Sequence, residues 1–77
     1  MTIHRFPLQG VFIELNLLLK LLGLASSGGA AKSLIARGAV TVDGEVETRI
    51  RRKLRAGQAV RFADEEIHVV VAADATD

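Results

Sequence analysis

Seven of the twelve residues from Ile13 to Leu24 are leucine, and this run constrains the fold more than any other stretch. Leu15, Leu18, Leu19 and Leu22 fall at the spacing of one helical stripe, and Leu17, Leu21 and Leu24 form a second stripe beside it. A helix over Ile13 to Leu22 that is apolar across so wide an arc is expected to be covered on two sides, with Asn16 and Lys20 facing outward. Gly23 stands where a left-handed C-terminal cap belongs. A chain of 77 residues has room for one core only, and ten leucines within an apolar fraction of 49% supply an aliphatic one. Cysteine is absent, which excludes a disulfide scaffold, a thiolate zinc module and a thiol nucleophile, and suits a reducing, cytoplasmic setting.

Arg5 ahead of the apolar run and Ala25-Ser26-Ser27 after it give the outline of a signal peptide. Glu14, Asn16 and Lys20 interrupt the run, which is also too short and too charged to span a bilayer. Cleavage after it would leave about 50 residues without their main apolar segment, too little surface burial to fold well. The expectation is therefore one domain over residues 1–72, no membrane association, and a flexible tail over residues 73–77.

Thr2 to Leu8 favours extended structure, but Pro7 cannot donate to a ladder, so it reads as an edge strand at most. Ser26 and Ser27 are candidate N-caps for a second helix through Ala30, Ala31, Leu34 and Ile35, with Gly38 at its C-terminal end. The period then changes to two. Val40 and Val42 alternate with small or polar residues, Asp43-Gly44 signals a tight turn, and Val46 lies on the return. Arg49 to Arg55 is basic and irregular, with Ile50 and Leu54 as its core anchors. Val60 and Phe62 form a further strand, Asp64-Glu65-Glu66 a polar turn, and Ile67, Val69 and Val71 the closing strand. The predicted class is α+β: a two-helix hairpin packed on one face of a small antiparallel sheet, with an edge strand at the N terminus.

The net charge of +1 is unevenly divided. Residues 32–61 carry eight basic and three acidic side chains, a balance of +5, whereas the segment from residue 62 onward carries five acids and no Lys or Arg. Arg49, Arg51, Arg52, Lys53 and Arg55 place five cations in seven residues. Arg and Lys are mostly exposed in any protein, but like charges this dense repel one another and suit a polyanion such as nucleic acid. Ser27 and Gly28 open the second helix, where backbone amides either receive the serine cap or meet a phosphate, and neither excludes the other. Arg37 either neutralises the end of that helix or joins the basic surface. Lys20 either lies beside that surface or solvates the first helix.

His4 and His68 lie in different predicted strands without metal-ligand spacing, and no Ser-His-Asp set or phosphate-binding Gly-Lys-Ser/Thr loop is present, so no enzyme, cofactor, metal or small-molecule substrate is expected. With Phe6, Phe12 and Phe62 as the only aromatics, at least two of them core-like, stacking on single strands is not expected.

Leu15-Asn16, Leu19, Leu22-Gly23, Ser26-Ser27, Ala31, Leu34-Ile35, Gly38, Val40, Val42-Asp43-Gly44 and Gly57 follow one another in a pattern that resembles the S-four type RNA-binding domain. This family, also called the alpha-L motif, is named after ribosomal small-subunit protein four, and the small stand-alone YbcJ-like members are most similar. The resemblance spans roughly residues 13–63. It implies a monomeric, non-enzymatic RNA-binding domain that docks on structured RNA, such as rRNA or a ribosomal particle. It also implies that Lys32 occupies a basic, RNA-facing position and that the Asp43-Gly44 backbone approaches RNA. The chain departs from the family in carrying Glu14 and Gly28 where arginine is common, and the Arg49–Arg55 cluster is expected to compensate. Replacing Arg51 and Arg52 together by alanine is expected to weaken RNA binding without lowering the melting temperature. The rival reading is a protein-interaction module with a ubiquitin-like sheet; carrier chemistry would need a Gly-Gly end, and this sequence ends Ala75-Thr76-Asp77.

Overall fold

The structure, a computed structural model, describes residues 1–72; the tail expected at residues 73–77 lies outside them. Strands β1 (Thr2–Leu8) and β2 (Ile13–Glu14) precede helices α1 (Leu15–Leu21) and α2 (Gly28–Ala36). Strands β3 (Val40–Val42), β4 (Glu45–Val46), β5 (Lys53–Leu54), β6 (Ala59–Phe62) and β7 (Glu65–Val71) follow. Five strands form one sheet in the order β1-β7-β6-β3-β4, and β2 pairs with β5 apart from it. The α+β class and the helical hairpin on one face of a sheet are as the sequence predicts.

The sheet alternates as a half-covered sheet should. Val40, Val42, Val60, Ile67 and Val69 are buried with Leu15, Leu18, Leu19, Ala31 and Ile35 of the helices, and Leu54 joins them. Ser27 caps α2: its Oγ accepts the Ala30 N–H at 3.1 Å. Gly23 and Gly38 follow the two helices with φ of 74° and 82°, which lets the chain leave each helix in the left-handed conformation. Asp43 and Gly44 both have positive φ, 51° and 88°, the requirement of the two-residue hairpin turn between β3 and β4.

Several expectations need correction. The sheet is mixed rather than antiparallel, because β1 runs parallel to β7 from Thr2↔Glu65 to Leu8↔Val71. A crossover through all the intervening elements separates the two strands, the kind of long connection parallel pairing needs. Pro7 is tolerated because β1 is the edge. Helix α1 starts at Leu15, since Ile13 and Glu14 are drawn into pairing with Leu54 and Lys53. The second leucine stripe is covered only in part: Leu24 packs against the core, whereas Leu17 and Leu21 are 42% and 58% exposed. Asn16, expected to face outward, is half-buried, and its Oδ1 is sealed without a partner. The polar turn is also shorter than expected. Ala63 and Asp64 make it, while Glu65 and Glu66 open β7 and contact His4 and His68, each at 2.6 Å.

Candidate nucleic-acid interface

The segment from Arg49 to Arg55 could not hold a defined shape on its own, with five like charges and little regular structure. Three kinds of contact fix it. Leu54 is fully buried and Ile50 packs against the core. Strand β5 pairs with β2. The orphan amides at the start of α1 find backbone acceptors here: Leu15 N–H donates to the Arg52 carbonyl at 2.8 Å and Asn16 N–H to the Ile50 carbonyl at 3.1 Å. The helix has no side-chain N-cap, so the basic segment is its cap.

A fourth fixing contact is ionic, and sequence reasoning missed it. Glu47 is buried, 6% exposed, and its carboxylate accepts from both arginines nearest to it. Arg49 donates through Nε at 2.9 Å and Nη2 at 3.0 Å, and through its backbone N–H at 2.9 Å. Arg52 donates through Nη1 at 2.6 Å. Hydrogen bonds from Arg49 outweigh the cost of burial and, with those from Arg52, hold the Glu47 carboxyl at about 2, below its ordinary 4.5. The available signal was one acid two residues before Arg49, at the end of a hairpin strand, where a solvated residue is the ordinary expectation.

Arg49, Arg51, Arg52, Lys53 and Arg55 together line one open groove of about 460 Å³, with no carboxylate in its lining. Arg51, Lys53 and Arg55 are exposed. Lys53 Nζ stands 4.9 Å from the centre of the Phe12 ring, a cation–π contact. Glu65 and Glu66 are engaged on β7 with His4, His68 and Arg61, away from this groove.

The other residues singled out by sequence are not in that lining. Lys20 and Lys32 are exposed on α1 and α2, and Arg37 caps the end of α2, beside a cleft it shares with Leu24, Ser26 and Phe62. Gly28 is the first residue of α2, with open space where a Cβ would stand. Asp43 ties the β3–β4 turn to the start of β6, its carboxylate accepting the Ala59 N–H at 2.9 Å and Gln58 Nε2 at 3.3 Å. Gly44 is at the turn, with nothing within 4 Å of a would-be Cβ. Among the described residues no group of three or more His, Asp or Glu is placed to hold a metal ion, and no helix is long and apolar enough to cross a membrane.

Comparison with known proteins agrees with this architecture. Residues 6–70 match the S4 domain. YbcJ of Escherichia coli, a candidate RNA-binding protein, is 55% identical over 58 residues, covering 75% of this chain and 83% of that protein. An uncharacterised YbcJ of Shigella flexneri matches to the same extent. The solution structure of the E. coli protein, described as having an alfaL motif involved in RNA binding, superimposes with a TM-score of 0.66 at 46% identity, covering 92% of this chain and 89% of that one. The order of helices and strands, the Val-Asp-Gly turn and these matches lead to one conclusion: the chain belongs to the S4 domain family, alongside its YbcJ members.

Proposed function

We propose that this protein is a non-enzymatic RNA-binding module that docks as a monomer on structured RNA, such as rRNA or a ribosomal particle, in the cytoplasm. The observation that carries the reading is the groove lined by five cations and no carboxylate, in a fold whose E. coli relative is described as having a motif involved in RNA binding. Guanidinium and ammonium groups on such a surface neutralise phosphates and release counterions, so affinity depends steeply on salt. With about four to six phosphate contacts, binding to a structured RNA is expected to weaken on the order of 10²–10³-fold between roughly 50 and 200 mM salt. Titration of a labelled rRNA fragment across that range tests it, and a flat affinity would refute it.

A protein-binding role has one observation in its favour. Among the described residues, the seven-residue strand β1 is an edge of the sheet, with Ile3 61% exposed. A pull-down whose partners survive RNase treatment would favour that reading over RNA docking.

A further inference from the structure

Phe12 is the aromatic ring that the core leaves out. Phe6 and Phe62 pack against the core, whereas Phe12 is 39% exposed. It lines an open groove of about 330 Å³ with an apolar floor that includes Leu8, Ile13 and Leu17. The polar residues in that lining are Gln9 and Glu14. Glu14 precedes α1 but makes no capping hydrogen bond to it, so its carboxylate is not committed to the helix.

This groove adjoins the cationic one. The β2–β5 register sets Glu14 opposite Lys53, the Lys53 ammonium lies over the Phe12 ring, and Arg55 Nη1 reaches the Val11 carbonyl at 3.4 Å. An aromatic ring, an apolar floor and an acceptor-only carboxylate thus sit directly beside two phosphate-binding candidates.

We propose that this second groove holds one unstacked nucleobase of the bound RNA, selecting guanine, while the neighbouring phosphates rest on Lys53 and Arg55; this rests on the RNA-binding reading above. An extruded base needs a π-face and a dry floor, which Phe12, Leu8, Ile13 and Leu17 supply. Glu14 then decides which base. Its two oxygens only accept, and guanine alone among the four bases presents two adjacent donors, N1–H and the N2 amino group, on its pairing edge. Adenine and cytosine set a ring-nitrogen lone pair beside their one amino group, and uracil flanks its N3–H with two carbonyls, so each turns a lone pair toward the carboxylate. An apolar peptide side chain would fill the floor but leave Glu14 and the cationic rim without partners.

The test uses a labelled RNA hairpin carrying one bulged nucleotide, either guanosine, inosine, adenosine, cytidine or uridine, alongside the same hairpin fully paired. The bulged guanosine is expected to bind about tenfold tighter than the bulged uridine or the paired hairpin, the scale of one hydrogen bond to a charged group. Inosine, which lacks the N2 amino group, is expected to lose most of that gain. Phe12→Leu keeps the site apolar, and is expected to abolish the preference while leaving the melting temperature and the affinity for the paired hairpin unchanged. Glu14→Gln is expected to erase discrimination between guanosine and inosine. Equal binding of all the bulges, or a preference that survives Phe12→Leu, would overturn the base site while leaving RNA docking intact. Absence of salt-sensitive binding even to the paired hairpin would overturn both.

Discussion

Within one seven-residue stretch the cations divide into two kinds. Arg49 and Arg52 share the buried Glu47 carboxylate, whereas Arg51, Lys53 and Arg55 have no carboxylate partner among the described residues. The first pair is held in place by the fold while still lining the groove, and the second set lines it without such a tie. The difference teaches that counting basic residues misjudges a surface: in one segment a guanidinium can be a structural tie and its neighbour a contact. It also shows how a like-charged segment is kept from unravelling, since one buried anion takes up part of the repulsion from inside.

The largest expected effect breaks the tie. Glu47→Ala leaves two guanidiniums without their acceptor, and is expected to cost about 2 kcal/mol, or roughly 8–16 °C in Tm for a domain this small, read by thermal denaturation. RNA affinity is the sharper readout. Removing an acid raises the net charge, so charge counting alone predicts tighter binding, whereas a carboxylate that positions Arg49 and Arg52 predicts weaker binding; the latter is expected in a filter-binding or anisotropy titration. Acid should act through the same group. Because the folded-state pKa of Glu47 is lowered to about 2 from 4.5, its contribution is fully present above about pH 4.5 and disappears as pH falls toward 2. Denaturant titrations are expected to show that loss in the wild type, and Glu47→Gln to lack this acid-sensitive component.

Next comes the uncommitted set. Arg51→Ala with Lys53→Ala is expected to lower RNA affinity by more than about tenfold at low salt and to make the log–log salt slope shallower by about two, with Tm nearly unchanged. Arg52→Ala is expected to behave differently from Arg51→Ala. It removes a 2.6 Å hydrogen bond to Glu47 from a partly exposed guanidinium, so Tm should fall by about 4–8 °C, the scale of about 1 kcal/mol for one hydrogen bond. By sequence alone these two arginines are equivalent, and only their partners separate them. The smallest effect belongs to Lys20, which lies outside the cationic groove; Lys20→Ala is expected to change affinity by less than about threefold.

The helical hairpin, the Ser27 cap, the two glycine exits and the Asp43-Gly44 turn were legible in the sequence because each depends on neighbours within a few residues. Ile50 and Leu54 were legible as anchors for the same reason, as apolar positions spaced within a basic run. What was not legible is set by residues far apart in the chain. Ile13 and Glu14 continue a helical pattern, yet pair with residues about forty positions on. Leu17 and Leu21 belong to an apolar stripe, yet no third layer among the described residues covers them. Glu47 resembles any hairpin-strand acid until the loop folds back and buries it. Phe12 counted as one of too few aromatics to matter, and only the fold leaves it open beside Lys53.

The pairing of the first strand with the last has a consequence for how the chain is made. Thr2 to Leu8 emerges from synthesis well before its partner, Glu65 to Val71, with both helices and strands β2 to β6 between them. That strand must wait, its apolar side chains unprotected, until the elements between it and β7 have been made. Such distant closure slows folding, because the entropy of bringing the ends together is lost before any contact rewards it. A premature stop before Glu65 would therefore remove β7 and leave β1 without the strand it pairs with.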